Sequence, residues 1–308
     1  MKIGRRTLTA KRLQRAVQDV QGEVCWNEPL APLLSLKVGG PADVLVFPSD
    51  VEDVIRVILG ARAEGIPFVV LGGTNVVVRD KGIRGIVMHL KQLTGIQEEA
   101  GHVVYAQAGV RLPRLMQFAV GHHLSGMEWA AGIPGTVGGG VVMNAGTRLG
   151  EMQEVLQAVD LVNLRGHRGR IESSKISFVY RKATLPKGIV VGAWVQLAPS
   201  NKEQVEAKTK TYLQYRRETQ PLTLPNAGSV FKNPPGDSAG RLVEAAGLKG
   251  VRVGDAEVST KHANFIVNRG TATAEQVLAL IRKVRQTVAR KFGVRLQLEW
   301  KVIGESSK

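Results

Sequence analysis

The chain has 308 residues, enough for about two domains and a large buried core. Its 44% hydrophobic and 22% charged residues are ordinary for a soluble globular protein, and no apolar run approaches the ~18 residues of a membrane-spanning helix. The net charge is +16, but the cations are spread along the chain, with no aromatic stacking motif, zinc knuckle or recognition-helix pattern. That distribution argues for anionic small ligands rather than nucleic acid, while the single cysteine, Cys25, excludes an intrachain disulfide and suits a reducing compartment.

The first twenty residues are basic (Arg5, Arg6, Lys11, Arg12, Arg15) and lack the apolar core of a signal peptide. Thr7 or Thr9 is expected to cap a short helix whose apolar side is Leu8, Leu13, Ala16, Val17 and Val20. Gly39-Gly40-Pro41 marks a tight turn, and Val44 to Phe47 is a buried-strand run ended by Pro48. Ser49 or Asp50 caps a helix from Val51 to Glu64, stopped by Gly65. Pro67 to Leu71 reads as a strand, followed by Gly72-Gly73-Thr74-Asn75, the β-branched run Val76 to Val78, and a further strand from Gly85 to Leu90. A glycine pair followed by a strand is not the start of an ordinary dinucleotide-binding βαβ unit, which needs a helix there.

A strand over 102–108 and a helix over 111–122 precede the densest glycine stretch, Gly132 to Gly146 (GIPGTVGGGVVMNAG). Glycine lets a ligand approach the main chain, and such a loop can offer a row of backbone N–H donors to a pyrophosphate; the same composition also suits a plain connection. Strands are expected at 156–164, 169–173 and 189–197, and a polar helix at 201–217. His122 and His123 adjoin a helix end and read as solvated or capping. A loop-like boundary at 220–225 leads to Asn226-Ala227-Gly228-Ser229-Val230-Phe231-Lys232-Asn233-Pro234. Asp237 or Ser238 caps a helix through Ala246, Asn264 to Asn268 is a strand, Thr273 caps a helix from Ala274 to Lys291, and Arg295 to Ile303 is a closing strand. Taken singly, Arg181 after Phe178-Val179-Tyr180, Ser229 after a glycine and Glu299 in the closing strand read equally as surface or turn residues. No His/Cys/Asp/Glu spacing suggests a metal site.

In order, GGPADVLVFP, AGIPGTVGGGVVMNAG, FVYR, TQPLTLPNAGSVFKNP, AGRLVEAAGLKG, VSTKHANFIVN and LEWKVIG resemble the UDP-N-acetylenolpyruvoylglucosamine reductase (MurB) family, from about Leu33 to Gly304. The resemblance implies an α+β chain: an FAD-binding fold of the vanillyl-alcohol-oxidase (PCMH) type with a C-terminal α/β substrate domain. The implied parts are 20–92 and 93–217 for FAD, completed by 296–308, and 218–295 for substrate. It further implies FAD as cofactor, NADPH as co-substrate, a UDP-sugar substrate, a role in peptidoglycan synthesis, and a cytoplasmic monomer without membrane insertion or nucleic-acid partner. Arg181 matches the family's catalytic arginine, Ser229 its proton donor and Glu299 its C-terminal glutamate. FAD-binding residues are expected at Gly72, Gly73, Thr74, Asn75, Gly132, Ile133, Pro134, Gly135, Thr136, Gly138, Gly139, Asn144 and Ala145, and substrate-binding residues at Tyr180, Lys232 and Asn233. The Gly72–Asn75 loop is one residue shorter than the family pattern, Trp300 replaces a smaller apolar residue, and Asp255 stands where glycine is usual. The eight residues between Arg181 and Val190 leave no room for a tyrosine-bearing insertion, so the chain resembles the shorter branch. The alternatives are another FAD-dependent oxidase of the same fold and a basic binding protein that has lost flavin.

Overall fold

The computed structural model describes residues 8–306, so the alternative cap Thr7 lies outside the described residues. The chain forms two compact units that interleave along the sequence: 1–26, 44–72 and 85–213 make the first, and 27–43, 73–84 and 214–308 the second. These are units of compactness; the expected parts, 20–92 and 93–217 completed by 296–308, with 218–295 inserted, are functional assignments implied by the resemblance.

In the first unit, helix Ala10–Val17 buries Leu13, Ala16 and Val17. Thr9 occupies its N-cap position but makes no side-chain cap bond. A Cβ at Gly60 would lie 2.0 Å from the Ala16 carbonyl oxygen, so a glycine is what lets helix Val51–Glu64 touch this backbone. Arg15 adds two 2.8 Å bonds to Glu64. The expected stop at Gly65 is present, with φ +62°, and Asp50 caps the other end through the Asp53 amide. A four-stranded sheet has the order Glu23–Pro29, Pro41–Phe47, Ile83–Met88, Phe68–Val70. A five-stranded antiparallel sheet has the order Arg168–Glu172, Leu156–Asn163, Gly188–Gln196, Val103–Gln107, Ile96–Glu99. Its apolar face joins Val104, Val159, Leu161 and Ala193 to helix Leu112–Gly121 in one core, whereas the four-stranded sheet packs Val44, Val46, Ile86 and Met88 on Val54, Val57 and Ile58 in another.

The second unit holds one core, in which helix Ala274–Phe292 buries Val277, Leu280, Ile281, Val284 and Val288 at the expected helical spacing. That core packs the helix with the sheet ordered Asn226–Ser229, Phe265–Asn268, Ala256–Val258, Arg252–Val253. Asp255 is not an anomaly here: its Oδ2 accepts from the Thr271 amide and hydroxyl, both at 2.8 Å, and so fixes the turn before the helix. The closing strand is shorter than expected. Only Lys301–Ile303 is a strand, paired in parallel with Val76–Val78, because the residues before Trp300 pair elsewhere.

Candidate active site

Ser229 ends a strand whose pairing with Phe265–Asn268 is interrupted between Asn226 and Ser229. Gly228 takes φ +80°, a conformation costly for other residues, and its amide donates to Asn226 Oδ1 at 3.1 Å. The Asn226 amide group in turn donates to the carbonyls of Pro221 (3.0 Å) and Leu224 (2.9 Å). Ser229 itself is half-buried. Beyond it the chain lies beside the segment that carries Glu299: the Glu299 amide donates to Val230 O at 2.8 Å, Lys232 N donates to Gln297 O at 2.9 Å, and Phe231 faces Leu298 across an antiparallel bridge. The serine, lysine and glutamate predicted from sequence therefore lie on two hydrogen-bonded neighbouring segments. Glu299 is half-buried and its Oε2 is out of solvent. Asn75 belongs to the same construction. It takes φ +58°, its carbonyl accepts from Lys301 N at 3.0 Å, and its Nδ2 donates to Glu299 O at 3.4 Å. Gly73, at φ +83°, accepts from Ser35 N at 2.8 Å and would put a Cβ 2.6 Å from Leu33 O. Thr74 is half-buried between them. Trp300, the departure from the family pattern, is 3% exposed and part of the core. Asn233 is exposed, and its Oδ1 accepts from the first amide of helix Ala239–Ala245 at 3.0 Å, so this side chain has a structural partner.

Arg181 belongs to the first unit. It is the second residue of a two-residue turn between Ser177–Val179 and Lys182–Thr184, and it takes φ +57°. A long side chain rarely adopts that conformation, and such outliers concentrate at functional sites. Ala183 and Phe178 pack into the core and hold the turn in place. The half-buried guanidinium lies 5.0 Å from the ring of Tyr180, which is 53% exposed.

The glycine stretch is not a loop throughout. Val137–Val142 is a helix capped by Thr136, whose Oγ1 accepts from Gly139 N at 3.4 Å. Three glycines are tolerated inside it because neighbours press on the backbone: a Cβ at Gly138 would sit 2.9 Å from Ala108 Cβ, and one at Gly140 would sit 3.0 Å from Met152 Cε. Its first amides are already paired, Val137 with Val110 O and Gly138 with Ala108 O. After the helix comes Asn144. That residue is fully buried at φ +41°, its Oδ1 accepts from Gln153 N at 3.0 Å, and its Nδ2 has no hydrogen-bond partner among the described residues. Trp129 Nε1 is a second buried donor of this kind. Buried donors without acceptors are costly in a finished protein, and two of them in one unit fit a ligand rich in carbonyl and phosphate oxygens, such as FAD. Ala145, next to Asn144, donates to Gly140 O and accepts from Met152 N, both at 2.8 Å.

A profile described as the FAD binding domain matches residues 42–171, and one described as the C-terminal domain of UDP-N-acetylenolpyruvoylglucosamine reductase matches 220–303. UDP-N-acetylenolpyruvoylglucosamine reductase 2 of Symbiobacterium thermophilum is 45% identical over 96% of this chain and 97% of its own. The chain belongs to the UDP-N-acetylenolpyruvoylglucosamine reductase family. The Moorella thermoacetica reductase is 46% identical over 92% of this chain and 94% of its own. Among solved structures, the reductase (MurB) from Thermus caldophilus has a TM-score of 0.79 at 38% identity, covering 92% of this chain and 98% of that one. The family's FAD-binding architecture, an α+β fold, is thus the fold of this chain. No helix among the described residues is long and apolar enough to cross a membrane.

Proposed function

We propose that this chain catalyses the NADPH-dependent reduction of UDP-N-acetylglucosamine enolpyruvate to UDP-N-acetylmuramate through FAD, a step in making peptidoglycan precursor. The observation that carries the residue roles is the hydrogen-bonded pairing of the Ser229–Lys232 segment with Gln297–Glu299. The chemistry the cofactor supplies is hydride transfer, from NADPH to the methylene carbon of the enolpyruvyl double bond. The chain's own task is to manage the charge and the proton. As the methylene carbon gains hydride, negative charge moves toward the substrate carboxylate, where the Arg181 guanidinium stabilises it without reorganising. The Ser229 hydroxyl gives its proton to the carbon bearing that carboxylate, which completes the addition of two hydrogens across the double bond. Serine is a weak acid in water, and the cationic Lys232 on the same segment favours its alkoxide. Glu299 orients the reacting group through its half-buried carboxylate.

FAD is assigned to Gly72, Gly73, Thr74, Asn75, Gly132, Ile133, Pro134, Gly135, Thr136, Gly138, Gly139, Asn144 and Ala145, and substrate contact to Tyr180, Lys232 and Asn233. Residues 20–92 and 93–217, with the terminal segment from 296, serve FAD in this reading, and 218–295 serve the UDP-sugar. The enzyme acts as a cytoplasmic monomer, a location in keeping with a single thiol and a soluble nucleotide-sugar substrate. Rapid mixing of a Ser229→Ala variant tests the proton-donor role. Flavin reduction by NADPH is expected at the wild-type rate, and reoxidation by the enolpyruvyl sugar slower by roughly a hundredfold or more. Reoxidation at the wild-type rate contradicts the role.

A further inference from the structure

The peptide groups on either side of Phe231 are spent on the Glu299 segment: Val230 O accepts from Glu299 N, and Lys232 N donates to Gln297 O. In an extended segment the groups of the residue between them point the other way. There they meet a side chain, not a strand. The Asn264 Nδ2 donates to Phe231 O at 2.8 Å, and Asn264 Oδ1 accepts from Phe231 N at 3.0 Å. The Asn264 main chain adds a third bond, its carbonyl accepting from Val230 N at 2.9 Å. Phe231 is 2% exposed and Asn264 4%, so water does not replace these partners.

Asn264 is itself held still. Its amide donates to His262 Nδ1 at 3.2 Å. Ser259 Oγ accepts from Lys261 N and His262 N, and the Ser259 amide donates to Phe265 O at 2.9 Å. Helix Ala239–Ala245 lies over this turn at Gly240, where a Cβ would stand 3.2 Å from His262 Cε1 and 3.7 Å from Asn264 Cβ.

We infer that Asn264 is a positioning residue that sets Ser229 and Lys232 by gripping the Phe231 peptide between them. This inference rests on the reading of Ser229 as proton donor. Only a neutral amide of this length supplies one donor and one acceptor side by side, matching a peptide's N–H and C=O. Losing that match leaves two buried peptide groups unpaired two residues from the serine hydroxyl, and the segment shifts to satisfy them.

The test compares Asn264→Leu, Ser229→Ala and the double variant, each carrying FAD, with the two half-reactions followed separately by flavin absorbance. For Asn264→Leu, flavin reduction by NADPH is expected within about twofold of wild type, and reoxidation by the enolpyruvyl sugar slower by roughly tenfold to a hundredfold. With the sugar saturating, so that the Lys232 contact to substrate does not enter the rate, the double variant is expected to reoxidise no more slowly than Ser229→Ala, because the clamp then acts through the serine. If Ser229→Ala is slow while Asn264→Leu reoxidises at the wild-type rate, or if the two losses multiply, the clamp is overturned and the serine role stands. If Ser229→Ala reoxidises at full rate, the serine role itself fails. Should the leucine variant not fold, Asn264→Asp gives the same decision. A protonated carboxyl reproduces the donor–acceptor pair, an ionised one cannot donate, and burial raises the carboxyl pKa. Its reoxidation rate relative to wild type is expected to climb as pH falls. Running wild type in parallel removes the titration of His262, whose own pKa burial holds below the ordinary value. A flat ratio overturns the clamp.

Discussion

Arg181 combines a left-handed backbone with a guanidinium beside an exposed tyrosine ring, and in the proposed reaction it meets the charge on the substrate carboxylate. Arg181→Lys keeps the charge and loses the planar fork. Its expected signature is sugar-dependent flavin reoxidation slower by roughly ten- to a hundredfold with reduction by NADPH unchanged, read in the same rapid-mixing measurement. Asp53 is a purely structural counterpart. Burial alone would raise its pKa, but its fully buried carboxylate accepts from Gln21 N, Gly22 N, Ser49 N, Ser49 Oγ and Arg56, which hold it well below the usual carboxylate range. A depressed folded value means the stabilisation is complete above the unfolded value near ~3.9 and drains away as pH falls through the folded one. Asp53→Asn is therefore expected to cost about 2–3 kcal/mol, unchanged between about pH 5 and 8, with the gap closing below about pH 4. Urea unfolding across that range checks it, and a gap that widens in acid contradicts it. Arg181, Ser229 and Glu299 could be named from sequence only because they sit in motifs with a fixed order, since each alone looks like a turn or surface residue. Asn264 also sits in one of those motifs, VSTKHANFIVN, but nothing there shows its role: its partner Phe231 is 33 residues away and is recognised by a peptide's hydrogen-bonding pattern, not by a residue type.

Helices with a periodic apolar face were legible to within a residue or two, Val51–Glu64 and Ala274–Phe292 among them. Their caps Asp50, Gly65 and Thr273 are local, so sequence could show them. The glycine-dense stretch has a loop composition yet holds the helix Val137–Val142, because glycine's poor helix propensity is overruled by close packing against Ala108, Leu112 and Met152. The closing strand was overextended for a related reason: Leu298 and Glu299 bond to the Ser229 segment before the chain turns to Val76–Val78. A further helix cap lay out of reach. Asp80 Oδ1 accepts from Ala274 N at 2.7 Å and Oδ2 from Glu275 N at 2.9 Å, across 194 and 195 residues of sequence. Together with the Thr273–Gln276 capping box it satisfies and charges the start of the longest helix in the second unit. Asp80→Ala is expected to lower stability by about 1–2 kcal/mol while leaving both flavin half-reactions intact. Urea unfolding and the half-reaction rates measure the two sides, and an unaltered midpoint contradicts the cap.

At the scale of the whole chain, the sequence order of the family's motifs carried more than any composition. It pointed to two functional parts, whereas the passages of the chain between the compact units, after Trp26, Asp43, Gly72, Arg84 and Leu213, follow from tertiary pairing alone. The shortened Gly72–Asn75 turn is accommodated in its own neighbourhood by the left-handed Gly73 and Asn75 and by the bonds to Ser35 and Lys301. The excess of 42 lysines and arginines over 26 acidic residues suits an enzyme whose cofactor, reductant and substrate all carry phosphates. Visible absorption of the purified protein tests that account most directly, with NADPH added without oxygen and then the enolpyruvyl UDP-sugar. The expected result is a flavin spectrum that bleaches with NADPH and returns with the sugar. A protein that stays colourless after incubation with FAD, or a bleached flavin that the sugar fails to restore, would contradict it.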